Sequence, residues 1–108
     1  MTVRTKEITI PQNDYGYALL FTCRDSDGVV VNITGHACHF KVWARGAPGT
    51  LLVDGTGAVL VGASGTATYT IANGDFPNVG KWYGEFETTV AGVRSSYQSL
   101  IVNVAESG

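Results

Sequence analysis

Two cysteines and two histidines are the residues of this chain best suited to chemistry: Cys23, His36, Cys38 and His39. Thiolate and imidazole are the donors a zinc site takes, four in a tetrahedron or three plus a water. The pattern argues against such a site. Cys38 and His39 are adjacent, so a strand sends them to opposite faces, and no C-x-x-C pair is present to seed it. The reading is no metal and no cofactor. Cys23 falls late on one predicted strand and Cys38 early on the next, both facing inward, which lets them meet across a core. Two states fit that placement. One is a disulfide, contributing about 3 kcal/mol in the chain-entropy model. The other is a pair of reduced core thiols. The N-terminal stretch M-T-V-R-T-K-E-I-T-I-P lacks the apolar run of a secretory signal, and that favours the thiols.

The remaining chemical candidates fail on spacing. Asp25-Ser26-Asp27-Gly28 opens like a calcium loop, but the twelfth position from Asp25 is His36 where a bidentate glutamate is required. The same four residues are strong turn chemistry, since Asp caps local amides and Gly accepts positive φ. Gly62-Ala63-Ser64-Gly65-Thr66 lacks the Lys-Ser/Thr pair and the following helix of a phosphate loop. Glu85 and Glu87 share a strand face, yet an open sheet offers neither the burial nor the cleft that distinguishes an acid from a base. Ser95 and Ser96, with His36 and His39, form no G-x-S-x-G nucleophile motif. These residues point away from an enzyme.

The elements that hold these residues are strands. The most informative stretch is 79–104, V-G-K-W-Y-G-E-F-E-T-T-V, A-G, V-R-S-S-Y-Q-S-L-I-V-N-V, which reads as two long arms joined by a tight turn at Ala91-Gly92. In the first arm Trp82, Gly84, Phe86, Thr88 and Val90 take one face and Tyr83, Glu85, Glu87 and Thr89 the other, wet face. In the second, Leu100, Val102 and Val104 continue the inner face, with Tyr97, Ser99, Ile101 and Asn103 opposite. Residues 36–45 alternate most cleanly, Cys38, Phe40, Val42 and Ala44 against His39, Lys41, Trp43 and Arg45. Residues 5–10 read as an edge strand ended by Pro11, and 17–24 as a half-buried strand continuing briefly at 29–31. A break at 46–49 precedes short strands at 51–53, 58–61 and 67–71, separated by Asp54-Gly55, Gly57 and residues 62–65. No segment sustains helical spacing. Seven or eight short strands with Gly-rich turns predict a single domain, residues 1–108, folded as an all-β, immunoglobulin-like antiparallel β-sandwich.

Composition agrees. Fourteen glycines in 108 residues are roughly twice the average of about 7%, and with three prolines and 15% charged residues the chain is neither a linker nor a charge-driven disordered tail. Net charge is −2, and the seven basic residues Arg4, Lys6, Arg24, Lys41, Arg45, Lys81 and Arg94 are scattered singly. No run supplies the patch that nucleic acid needs, and no stretch approaches a membrane span.

The succession L-F-T-C-R-D-S-D-G-V-V-V-N-I-T-G-H-A-C-H-F-K-V-W-A, then G-T-A-T-Y-T, then G-K-W-Y-G-E-F-E-T-T-V-A-G-V-R resembles the N-terminal domain family of phage baseplate upper proteins and similar small tail-associated Ig-like domains. The resemblance runs by pattern over residues 8–104. It implies a phage virion structural protein, made in the host cytoplasm and located in the virion. As a tail or baseplate component or a capsid decoration, its partners are other virion structural proteins, and a homo-oligomer, trimer or ring, is compatible with such an assembly. In the usual sandwich topology the strand around Trp43 and both hairpin arms share a sheet. Its outer face then carries Lys41, Trp43, Arg45, Tyr83, Glu85, Glu87 and Tyr97 as an aromatic patch with charges of both signs, the expected interface for protein-protein contacts. The alternative use of the same aromatics is as a stacking platform in a carbohydrate- or cell-surface-binding adhesion module.

Overall fold

The computed structural model describes residues 4–47 and 49–106. Pro48, inside the predicted 46–49 break, and the first three and last two residues of the predicted 1–108 domain lie outside that set. Seven strands are described: β1 Arg4–Pro11, β2 Ala18–Thr22, β3 Ala37–Trp43, β4 Leu51–Val61, β5 Thr66–Thr70, β6 Gly80–Val90 and β7 Val93–Ala105. A single 3₁₀ turn, Gly62–Ser64, joins β4 to β5, so the all-β expectation holds.

The predicted hairpin is β6 and β7. Ala91 at φ 51° and Gly92 at φ 78° both occupy the left-handed region, the signature of a two-residue type I′ turn, whose twist matches that of the flanking strands. The strands are hydrogen-bonded in the order β1-β7-β6-β3-β4-β5-β2. All neighbours are antiparallel except β1 and β7, which run parallel from Arg4↔Gln98 to Pro11↔Ala105. The sheet is therefore mixed where alternation alone predicts antiparallel pairing throughout, because alternation reports faces and not strand direction.

This one sheet curls so that β2 and β5 come over β3 and β6. Phe21 of β2 stacks on Phe86 of β6 at 4.5 Å and tilts against Phe40 of β3 at 5.8 Å, while Phe40 stacks on Tyr69 of β5 at 4.5 Å. Ile10, Ile33, Ile71, Phe76, Leu100, Val102 and Val104 belong to the same buried cluster. Each fully buried side chain of this size contributes roughly 1.5–3 kcal/mol.

Four sequence expectations change. First, residues 51–61 form one strand, although Asp54-Gly55 and Gly57 read as breakers. These glycines mark close approach: a Cβ on Gly55 would strike the Tyr69 ring, and one on Gly57 would lie 2.8 Å from the Thr68 carbonyl oxygen. Second, 29–31 is no strand; only Arg24 and Val30 form an isolated bridge. Third, β7 carries a bulge: the register steps from Phe86↔Gln98 to Glu87↔Ser96, leaving Tyr97 over. Tyr97, expected outside, joins the core cluster at 7% exposure. Fourth, Glu87, expected on the wet face, is 3% exposed.

Candidate functional site

The outer face of β7, β6, β3 and β4 is built in rows, because antiparallel partners point to the same side. The first row is Ile101, Tyr83 and Trp43; the second is Ser99, Glu85, Lys41 and Asp54; the third is Ser96, Glu87, His39 and Thr56. Aromatic and β-branched residues thus form one row of the face, with Lys81 and Asn103 beyond it on β6 and β7 and the charged rows on its other side.

The charged rows are largely neutralised from within. Lys41 Nζ lies 2.9 Å from Glu87 Oε1, and Arg94 Nε lies 3.5 Å from Glu87 Oε2. That second contact is an ion-pair distance without hydrogen-bond geometry, and Oε2 is a buried oxygen with no hydrogen-bond partner. His39 Nε2 pairs with Asp54 Oδ1. Ser96 Oγ donates to Glu85 Oε2 at 3.3 Å, drawing that carboxylate toward the third row and away from the aromatic one.

At the aromatic end a shallow groove of about 460 Å³ opens, lined by Trp43, Arg45, Gly46, Tyr83, Gly84, Ser99 and Leu100. Two local devices shape it. Between β3 and β4 the register steps from Val42↔Val53 to Trp43↔Leu51, leaving Leu52 as an extra residue that turns the end of β3. Beyond Trp43 the chain folds into a tight turn in which Ala47 N–H donates to Ala44 C=O at 3.0 Å. Gly46 at φ 79° takes its third position, as a type II turn requires, so Arg45 is presented at the corner. Gly84 adds backbone only; a Cβ there would meet the Lys41 carbonyl oxygen at 2.6 Å. Among the described residues no carboxylate pairs with Arg45, the one charged residue lining the groove.

Of the residues expected on this face, the structure gathers Trp43, Arg45 and Tyr83 at the groove and sets Lys41 and Glu85 one row away. Glu87 is buried under Lys41, and Tyr97 is in the core. Ser99, Gly46, Gly84 and Leu100 were missed as lining. Ser99 shares the outer parity of Tyr83, but placing it beside the groove requires the β6–β7 register, which the bulge displaces by one residue.

The chemical candidates of the sequence are dispersed. Cys23 and Cys38 are free, buried thiols; burial, and then the neighbouring Cys38, raise the Cys23 pKa to about 11, and burial raises that of Cys38. His36 Nδ1 shares a hydrogen bond with Thr88 Oγ1 at 2.9 Å, apart from the His39–Asp54 pair. No group of three metal-ligating side chains occurs among the described residues. Asp25 Oδ1 accepts the amides of Asp27 and Val29 at 2.9 and 3.0 Å, which is a local turn cap.

No protein-family model matches this chain, and no curated protein is significantly similar to it. The functional reading therefore rests on an all-β domain with an aromatic groove on one sheet face.

Proposed function

We propose that this chain is an immunoglobulin-type recognition module without catalytic activity. In this reading it serves as a structural component of a phage virion, attached to tail, baseplate or capsid proteins through the outer face of β3, β6 and β7. The order β7-β6-β3 matches the G-F-C core of an immunoglobulin sandwich. β4 pairs with β3 in its first half and with β5 in its second, as a strand shared between two layers would. The virion assignment draws on the sequence resemblance of the β2–β3, β5 and β6–β7 stretches.

One observation carries the reading: Trp43 and Tyr83 are in register across β3 and β6 beside Arg45, which pairs with no carboxylate among the described residues, on an open sheet face. Aromatics and arginine are the side chains that dominate binding at protein interfaces. The test is incorporation of Trp43→Ala/Tyr83→Ala into particles. A drop of at least about tenfold, the scale of losing one such anchor, is expected; incorporation at the normal level would refute this contact face.

A second reading, an adhesion module for carbohydrate or cell surface, is favoured by the groove itself. Its aromatic wall and the polar groups of Ser99 and Arg45 are the combination a sugar ring takes, with an apolar face to stack and hydroxyls to bind.

A further inference from the structure

We infer that the groove takes a carboxylated sugar, a hexuronic acid unit of a polysaccharide. The inference rests on the sugar-binding reading and adds its charge. The Tyr83–Trp43 pair supplies a half-buried aromatic surface that suits the C–H face of a pyranose. Neutral sugars need nothing more than this surface and a few polar groups. The groove holds something they do not require, a guanidinium that no carboxylate among the described residues pairs with. Two other cations of this face, Lys41 and Arg94, are committed to Glu87, while Lys81 stands exposed two residues before Tyr83 on the same face of β6 and adds to the positive charge near the groove. Glu85, the nearest outer-face carboxylate in register, is drawn toward Ser96, so the positive field at the groove is not cancelled by its own row.

Position matters as well. Arg45 sits at the second place of the turn closed by Ala47 and Ala44, so its guanidinium stands at the rim while the indole and phenol form the wall. A pyranose stacked on that wall can bring a ring carboxylate to the rim and accept two parallel N–H bonds, the pairing at which arginine surpasses lysine. Ser99 Oγ is available to a ring hydroxyl. The groove is open and of modest volume, which fits one or two sugar units of a longer chain.

The experiment titrates the full chain with trigalacturonate and with its methyl ester, which keeps the rings and removes the charge. The Trp43 indole N–H and the amides of residues 43–46, 83–84 and 99–100 are followed by heteronuclear NMR. The acid is expected to shift these signals and to bind about tenfold or more tighter than the ester, the scale of a charge-assisted hydrogen bond. Arg45→Gln should bring the acid down to the level of the ester, and Arg45→Lys should recover only part. Equal binding of acid and ester, with Arg45→Gln silent, would overturn the acidic specificity and leave the sugar reading standing. If neither compound moves the Trp43 signal, or if the shifts fall elsewhere, the inference and the sugar reading both fail, while the virion attachment proposal remains untouched.

Discussion

Ala91 is the residue least suited to its place. At φ 51° it lies in the left-handed region together with Gly92, where a Cβ costs on the order of 1–2 kcal/mol and Asn is better tolerated. Ala91→Asn is therefore expected to stabilise the fold by about 0.5–1 kcal/mol, raising Tm by about 3–6 °C; an unchanged or lowered Tm in calorimetry would contradict the type I′ geometry. Buried acids set the alkaline limit, Cys23 and Tyr69 foremost, with Cys38 raised by burial as well. Burial, and then Asp75, raise the pKa of Tyr69, whose hydroxyl donates to Asp75 Oδ2 at 2.5 Å, and burial drives Cys23 up to about 11. Both pKa values are higher folded than unfolded, so the native state retains protons that the unfolded chain releases. The stability each group contributes is complete below its ordinary value, 9.0 for Cys23 and 10.0 for Tyr69, and falls as pH climbs through the folded one. The urea midpoint should decline from pH 9 towards about 11, and Cys23→Ala should flatten the first part of that decline. A midpoint independent of pH across this window would refute the burial of both groups.

The elements differ in how far their residues betray them. β3 and the β6–β7 hairpin were legible because period-two alternation and an Ala-Gly turn specify faces and register locally. β4 was not, since glycine reads as a breaker when nothing shows what approaches it. Gly55 and Gly57 are small so that Tyr69 and the Thr68 backbone can come close, and that is a fact of the tertiary packing alone. The bulge at Tyr97 was hidden for the same reason: one extra residue reverses the parity of everything beyond it. This explains why Tyr97 leaves the face predicted for it while Trp43, Arg45 and Tyr83 share theirs; Glu87 keeps the predicted face, and its burial comes instead from Lys41 and Arg94 lying against it. The burial of Glu87 has a measurable consequence across the β3–β6 pair. Lys41, whose side chain is 20% exposed, is its hydrogen-bonding partner against a carboxylate 3% exposed. Lys41→Met leaves that charge poorly compensated and is expected to cost about 2–4 kcal/mol in urea unfolding. Combining it with Glu87→Leu should recover most of the loss. A cost below about 0.5 kcal/mol for the single change, the range of ordinary surface substitutions, would mean that Arg94 and water suffice.

At the scale of the whole molecule the two outward surfaces are unlike. The β7-β6-β3 face combines ion-paired rows with the aromatic groove. The other surface, carried by β2, β5 and the end of β4, presents Thr66, Thr68, Thr70 and Ala58 with exposed Leu20 and Leu60. Each edge is treated differently too. β1 carries Lys6, Glu7 and a terminal proline, devices that discourage pairing with another chain, whereas β2, A-L-L-F-T, carries no charge. If recognition occupies the first surface, as proposed, hydroxyl-radical footprinting of the chain, free and bound to virion particles, separates the two most directly. Protection of Trp43 and Tyr83 on binding, with Leu20 and Leu60 still oxidised, is the predicted result. Protection of Leu20 and Leu60, with Trp43 and Tyr83 as reactive as in the free chain, would contradict it.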